Sequence, residues 1–293
     1  MRIKRSLGER LFYPADIVIM IILVIFTLYP IWHVALGSIS DPGKLMAHSG
    51  LVLRPYGFSL VSYKAVFKNP MIRTGYLNTI FILVAGVLLN MIMTCLGAYV
   101  LSRKKVLWNK AITFFIVFTM FFSGGLIPSF LNIKELGLYN SLWALIIPTA
   151  ISTFNMIIMR TSFQTIPDSL EESAKLDGAG HFTILFRIVL PVSKAVIAVI
   201  ILYYSVGHWN SWFDAMVYLQ KRELYPLQLV LREILIQNQT TDMTMQSEAQ
   251  DQEMIGETIK YAVIMVATVP ILILYPFLQK YFVKGVMVGA LKG

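Results

Sequence analysis

Charge is what this sequence has least of. Only 14% of its 293 residues are Asp, Glu, Lys or Arg, and 57% are hydrophobic; a soluble domain carries roughly 25% charged residues. Mean hydropathy is +0.68. Such a chain has lipid as its main solvent, which excludes an ordinary soluble domain. Cysteine is nearly absent as well. Cys95 is the single one, so no intrachain disulfide can form, and its place in an apolar run fits a small buried hydrophobe. The sequence patterns of catalysis are missing too. There is no G-x-x-x-x-G-K-[ST] to cradle a nucleotide, no H-E-x-x-H and no G-x-S-x-G. His33, His48, His181 and His208 are scattered at no ligand spacing. The reading is of a chain with no catalytic residue, no metal site and no cofactor of its own.

What is present is a set of long apolar runs. About 20 apolar residues cross the hydrocarbon core as a helix, and six stretches qualify: Ile17–Leu36, Leu77–Leu101, Ala111–Ile133, Asn140–Met159, Ala195–Phe213 and Tyr261–Leu278. The expectation is an all-α polytopic membrane protein with six transmembrane helices forming one domain over residues 1–293. None of the six contains Asp, Glu, Lys or Arg. An ion-coupled carrier needs an ionisable residue or a carbonyl site along its path, and a membrane-embedded enzyme needs a polar constellation. Neither is visible, so uphill transport would draw its energy from a partner. Ser123-Gly124-Gly125 with Pro128, then Pro148, Pro270 and Pro276, predict kinks within the spans.

The basic residues set the orientation. Segments before the first, after the second, fourth and sixth stretches hold 15 Lys and Arg, with a dense group at Arg103, Lys104, Lys105 and Lys110; the intervening segments hold 10. The positive-inside rule then places both termini in the cytoplasm. Met1–Arg10 is basic like a signal peptide, but the run behind it is too long for one, so it reads as a retained first span. The net charge of +9 lies beside apolar spans and suits an anionic inner leaflet better than nucleic acid.

One cytoplasmic loop, residues 160–194, carries a pattern. Pro167 precedes Ser169 and Glu172, spaced as a capping box, so a helix is predicted to start there. Gly178 can take the left-handed position that ends it. Leu170, Ser173, Ala174 and Asp177 share one face, with Glu171 and Lys175 directed elsewhere. After Gly180 a second helix places Phe182, Leu185, Phe186 and Val189 along one face until Pro191 closes it.

Glu172-Ser173-Ala174, three residues, Gly178, nine residues, then Ile188-Val189-Leu190-Pro191 resembles the E-A-A hallmark loop of ABC importer permeases, with Ser173 for the first alanine as the one departure. The tail Lys284 to Gly293 resembles that of the second permease of the carbohydrate, maltose-type (type I) branch, and the stretch Gly207 to Ala215 resembles the fifth-span end of oligosaccharide permeases. That resemblance implies the type I importer fold in a bacterial cytoplasmic membrane. It also implies a homologous permease partner, an extracytoplasmic solute-binding protein, and an ATPase dimer that binds ATP and Mg. The loop would be the coupling helix, carried by Leu170, Glu172, Ser173, Ala174, Asp177, Gly178, Ile188, Leu190 and Pro191. Aromatic and hydrogen-bonding chemistry suited to sugars stands at the outer mouth in Trp209, Asn210, Trp212, Asp214 and Tyr218. The outer segment 214–260 would contact the binding protein. The likeness is greatest to permeases for longer or acidic oligosaccharides such as alginate, although nearly balanced charges in the outer loops leave the substrate open.

Overall fold

The structure, a computed structural model, describes residues 7–104, 106–236, 256–273 and Pro276. The rest of the sixth stretch, the outer segment 237–255 and the tail 284–293 lie outside the described residues. Among those described, every regular element is helical, and extended backbone pairs only at the isolated bridge of Ser40 with Phe58. In chain order the helices are α1 (Leu7–Ser38), α2 (Pro42–Met46), α3 (Val61–Lys68), α4 (Pro70–Ser102), α5 (Asn109–Phe118), α6 (Leu126–Glu135) and α7 (Thr153–Phe163). There follow α8 (Asp168–Leu176), α9 (His181–Ile184), α10 (Leu190–Val192), α11 (Lys194–Asn210), α12 (Phe213–Tyr218), α13 (Leu227–Ile236) and α14 (Gly256–Ile273).

The chain divides into two units, residues 1–69 with 233–268, and residues 70–232 with 269–293. In the first, α1 exposes nearly every side chain from Phe12 to Leu28. A bare apolar surface of this length is at home in hydrocarbon, not water. Only its last turns pack: Gly37 lies under the Tyr261 ring, where a Cβ would come within 2.8 Å, and Ser38 Oγ meets Tyr63 OH at 2.9 Å. Ser62 Oγ donates to Thr258 Oγ1 at 2.8 Å, joining α3 to α14. The loop after α1 is folded. Asp41 Oδ1 accepts from Lys44 N at 3.1 Å and caps α2, while Asp41 N donates to Tyr56 O at 3.0 Å.

The second unit is built on α4. Gly75, Gly86 and Gly97 recur every eleven residues and so fall on one face. Their Cβ positions are claimed by Leu227, His208 and Met156 respectively, the close approach that small residues permit between helices in lipid. Two core clusters result. One gathers Cys95, Ala98, Met159, Phe163, Ile184 and Ile200, which places Cys95 as the expected buried hydrophobe; the other gathers Ile82, Ile133, Ile146, Ala215 and Leu229.

Among the described residues three helices, α1, α4 and α14, are long and apolar enough to cross a membrane, and the bent pair leading through α10 into α11 would make a fourth. The third and fourth apolar stretches are not continuous helices. The third breaks between α5 and α6, where Gly125 takes a φ of +84° that side chains resist. The fourth runs through a 3₁₀ turn at Leu142–Leu145 and then irregular backbone to Ser152. Helix-interrupting backbone needs replacement partners in lipid, and here side chains supply them. Asn90 Nδ2 donates to Thr149 O at 2.6 Å, and Ser152 N donates to Tyr204 OH at 3.0 Å. His208 Nε2 holds Asn90 Oδ1 at 2.7 Å, and Thr94 Oγ1 meets Tyr204 OH at 2.7 Å.

Pro191 does not close its helix. Lacking an N–H, it forces the turn ahead of it, Leu185–Val189, into π geometry, and the helix continues to Val192. The break falls at Ser193, where the axis turns by 87° into α11. The π turn also splits the expected apolar face: Ile184, Leu185 and Val189 are buried, whereas Phe182 and Phe186 are exposed.

Candidate functional site

Helix α8 lies where the motif put it, but it starts differently from the expected capping box. Pro167 is the N-cap, no side chain caps the first turn, and Ser169 lies inside the helix. Pro167 has the fixed φ that suits the entry, and Asp168 and Glu171 set negative charge at the positive end of the helix dipole. Ser169 contributes its carbonyl, which accepts from Ser173 Oγ at 2.9 Å.

The far end follows expectation. Gly178 stands at φ +81°, Gly178 N donates to Lys175 O at 3.0 Å, and Ala179 N donates to Ala174 O at 2.9 Å. These two bonds are a Schellman stop. A Cβ at Gly178 would meet nothing within 4 Å, so dihedral angle rather than crowding calls for glycine.

The faces of α8 divide its roles. Glu171 turns inward, 6% exposed, and forms an ion pair with Arg103. The Arg103 guanidinium also lies over the Tyr99 ring at 4.6 Å. Lys104 Nζ meets Asp168 Oδ2 at 3.2 Å, and Arg160 Nε donates to Leu101 O at 2.9 Å. The C-terminal end of α4 is thereby tied to α7 and α8, and a cavity of about 750 Å³ lies between the end of α4, α8 and α9. Outward face Glu172, Ser173, Asp177 and Leu176, the last 90% exposed, with Leu170 at 44%. Ala174 packs partly against the core, as does Leu190, while Ile188 is half-buried and Pro191 is exposed. The arrangement is a short helix with an open outer face of acidic, small and leucine side chains and a charged inner anchor.

The residues of the outer mouth go to different places. Trp209 is buried, its ring edge-on to Tyr76 at 6.3 Å. Asn210 is exposed, and its Nδ2 donates to Val206 O at 2.9 Å within α11. Trp212 lies under Arg232, whose guanidinium carbon is 4.5 Å from the ring centroid. Asp214 and Tyr218 come together on α12. Burial lifts the Asp214 carboxyl above its ordinary range; burial, then the nearby Asp214 charge, raises the Tyr218 phenol. Tyr218 is buried and stacks on Phe130. Its carbonyl accepts from Asn140 N at 2.9 Å, while Asn140 Oδ1 accepts from Gln220 N and Lys221 N, both at 3.0 Å.

Sequence reasoning missed three constellations: Arg103 with Glu171, His208 with Asn90, and Arg232 with Trp212. Each joins side chains far apart in the chain, and no local spacing announces such a pair. Among the described residues no group of three or more His, Cys, Asp or Glu is disposed to hold a metal.

Comparison with known proteins places this geometry in a setting. Residues 93–288 match the family described as binding-protein-dependent transport system inner membrane component. The chain is 42% identical over 290 residues to the polygalacturonan/rhamnogalacturonan transport system permease protein YtcP of Bacillus subtilis (strain 168), covering 99% of this chain and 100% of that one. It is 41% identical over 270 residues to protein LplC of the same organism, covering 91% and 90%. Among solved structures, one chain from the crystal structure of a bacterial ABC transporter involved in the import of the acidic polysaccharide alginate superposes with a TM-score of 0.88. That match has 32% identity and covers 96% of this chain and 99% of the other.

Proposed function

The chain belongs to the binding-protein-dependent transport system inner membrane components, a family of transport permeases, and we propose that it forms half of the channel of a saccharide importer for acidic oligosaccharides. The observation that carries this reading is the coupling loop: an E-A-A-type motif folded as α8, stopped by a Schellman corner at Gly178. The substrate class rests on the two relatives whose descriptions name polygalacturonan/rhamnogalacturonan transport and import of the acidic polysaccharide alginate.

In this reading a homologous permease supplies the other half-channel, and an extracytoplasmic binding protein delivers the saccharide. ATP and Mg belong to an ATPase dimer on the cytoplasmic side; this chain is non-catalytic. The six apolar stretches cross the membrane, two of them interrupted, as one permease domain with both termini in the cytoplasm. ATP-driven closure of the ATPases pushes on the outer face of α8 through Leu170, Glu172, Ser173, Asp177 and Gly178. The inner face passes the displacement to α4 through Glu171 and Arg103, because a buried ion pair resists separation. At the outer mouth the exposed Asn210 and the half-buried Trp212 and Asp214 are the groups open to a saccharide, with Trp209 and Tyr218 buried behind them.

The test is co-purification. Glu172→Lys combined with Gly178→Ala should release the ATPase while the permease pair stays intact in detergent. An intact complex whose ATPase is still stimulated by the loaded binding protein would overturn the reading.

A further inference from the structure

The loop between α1 and α3 holds a pocket that neither the motif nor the family match assigns. Its volume is about 570 Å³, and Lys44, His48, Arg54 and Tyr56 line it together with Ala47 and Gly57. That size falls within the roughly 300–1,000 Å³ of small-ligand sites.

The pocket is held in shape by its backbone. Asp41 N donates to Tyr56 O at 3.0 Å and to Gly57 O at 3.1 Å, Tyr56 N donates to Ser40 Oγ at 3.1 Å, and Ser59 N donates to Ile39 O at 2.9 Å. Segment 56–59 is thus laced to the residues that lead into α2. Gly57 has a φ of +70°, and a Cβ there would press on Lys44 Cδ at 3.1 Å and Asp41 Cβ at 3.2 Å. Only glycine lets the loop lie this close to the lysine stem.

The charges are the informative part. Some basic residues among those described find carboxylates: Arg103 and Lys175 with Glu171, Lys104 with Asp168, Lys260 with Glu257. Lys44 and Arg54 have no carboxylate within 4.0 Å among the described residues. The one acid nearby, Asp41, directs Oδ1 to the Lys44 backbone N–H to cap α2. Two unpaired cations at one cavity create a positive potential that concentrates anions. Beside them His48 and Tyr56 stack at 4.1 Å with a 25° tilt, and Tyr56 OH meets His48 Nε2 at 2.9 Å. The result is a flat aromatic platform edged with hydrogen-bonding groups.

We propose that this pocket binds a carboxylate-bearing saccharide on the outer side of the membrane. The proposal rests on the import of acidic oligosaccharides argued above. A guanidinium fork matches a carboxylate in geometry and an ammonium adds charge without direction, while the stacked rings offer a face for a sugar ring. A simple inorganic anion would need no ring platform.

The experiment uses the complete transport complex in nanodiscs of zwitterionic lipid, without binding protein, and titrates trigalacturonate and neutral galactotriose by calorimetry. The wild type should bind trigalacturonate, with the affinity falling as salt rises from about 50 to 200 mM. Lys44→Gln with Arg54→Gln should weaken it about tenfold, as expected when charge-assisted bonds to a carboxylate are lost. Both side chains are exposed, and unaltered ATP hydrolysis with the loaded binding protein checks that the variant is folded. Equal affinity in wild type and variant would overturn the proposal. So would a variant whose only defect is weaker docking of the ligand-free binding protein, which would make this a protein contact. If import of trigalacturonate persists while the pocket proves inert, only this site is lost. If no acidic saccharide is imported at all, the functional reading falls with it.

Discussion

Arg103, just past the end of α4, and Glu171 of α8 are brought into a contact that is 16% and 8% exposed at the side chains. Removing one partner strands the other charge, so Arg103→Gln should destabilise the permease by about 3 kcal/mol. The double variant Arg103→Gln, Glu171→Gln should recover part of that loss, and thermal unfolding in detergent measures both. Lost coupling in a double variant that is as stable as wild type would identify the pair as a transmission contact rather than a staple. Gly86 gives a second residue-level expectation. A Cβ there would approach His208 Nε2 to 2.6 Å, and the same imidazole anchors Asn90. Gly86→Ala should therefore cost about 1–3 kcal/mol through overpacking, read as a lower melting temperature of the complex. At Asp214 the sign runs the other way from an ion-paired acid. Burial raises its pKa in the folded state above the ordinary 3.8, so between those two values the native chain binds more protons than the unfolded one. Stability on this account falls as pH rises through that window. Asp214→Asn should flatten the dependence in melts taken from pH 4 upward.

At the scale of elements, α8 was legible in its place and its stop, which are local, but its cap was misread: Pro167 and not Ser169 begins it. Pro167, the acidic first turn and Gly178 lie within a dozen residues of one another. What adjacency could not decide was which of two neighbouring glutamates turns inward; that choice belongs to Arg103, far back along the chain. The interrupted third and fourth stretches were visible as Gly-Gly and Pro, yet the partners of the fourth stretch's freed backbone groups were not, since Asn90, which donates to Thr149 O, and Tyr204, which accepts from Ser152 N, sit on other helices. The π turn ahead of Pro191 was illegible for a related reason: a proline marks a disturbed helix but not whether the chain ends, kinks or changes register. The stop of α8 gives its own prediction. Gly178→Ala places a side chain in a left-handed conformation at a cost of about 1–2 kcal/mol, with no clash to add, since the space is open. Coupled ATP hydrolysis should drop while ATPase binding persists, in contrast to the combined Glu172→Lys, Gly178→Ala variant.

For the molecule as a whole, the dearth of charge forecast its solvent correctly, and α1 shows why composition sufficed: nearly every residue from Phe12 to Leu28 is bare. The glycines of α4 at eleven-residue spacing then explain how helices with no hydrophobic drive toward one another in lipid can pack closely.

The irregular stretch between Leu145 and Ser152 carries a consequence for biogenesis. Its peptide groups are completed partly by a helix made before it and partly by α11, made after it, and each peptide group left bare in oil costs several kcal/mol. During synthesis this segment has no finished place in the bilayer until Tyr204 and His208 have emerged from the ribosome. The membrane-insertion machinery must therefore shelter it for the time needed to translate some fifty further residues, and a truncation just before α11 should leave a nascent chain that is cleared by quality control instead of a stable half-bundle.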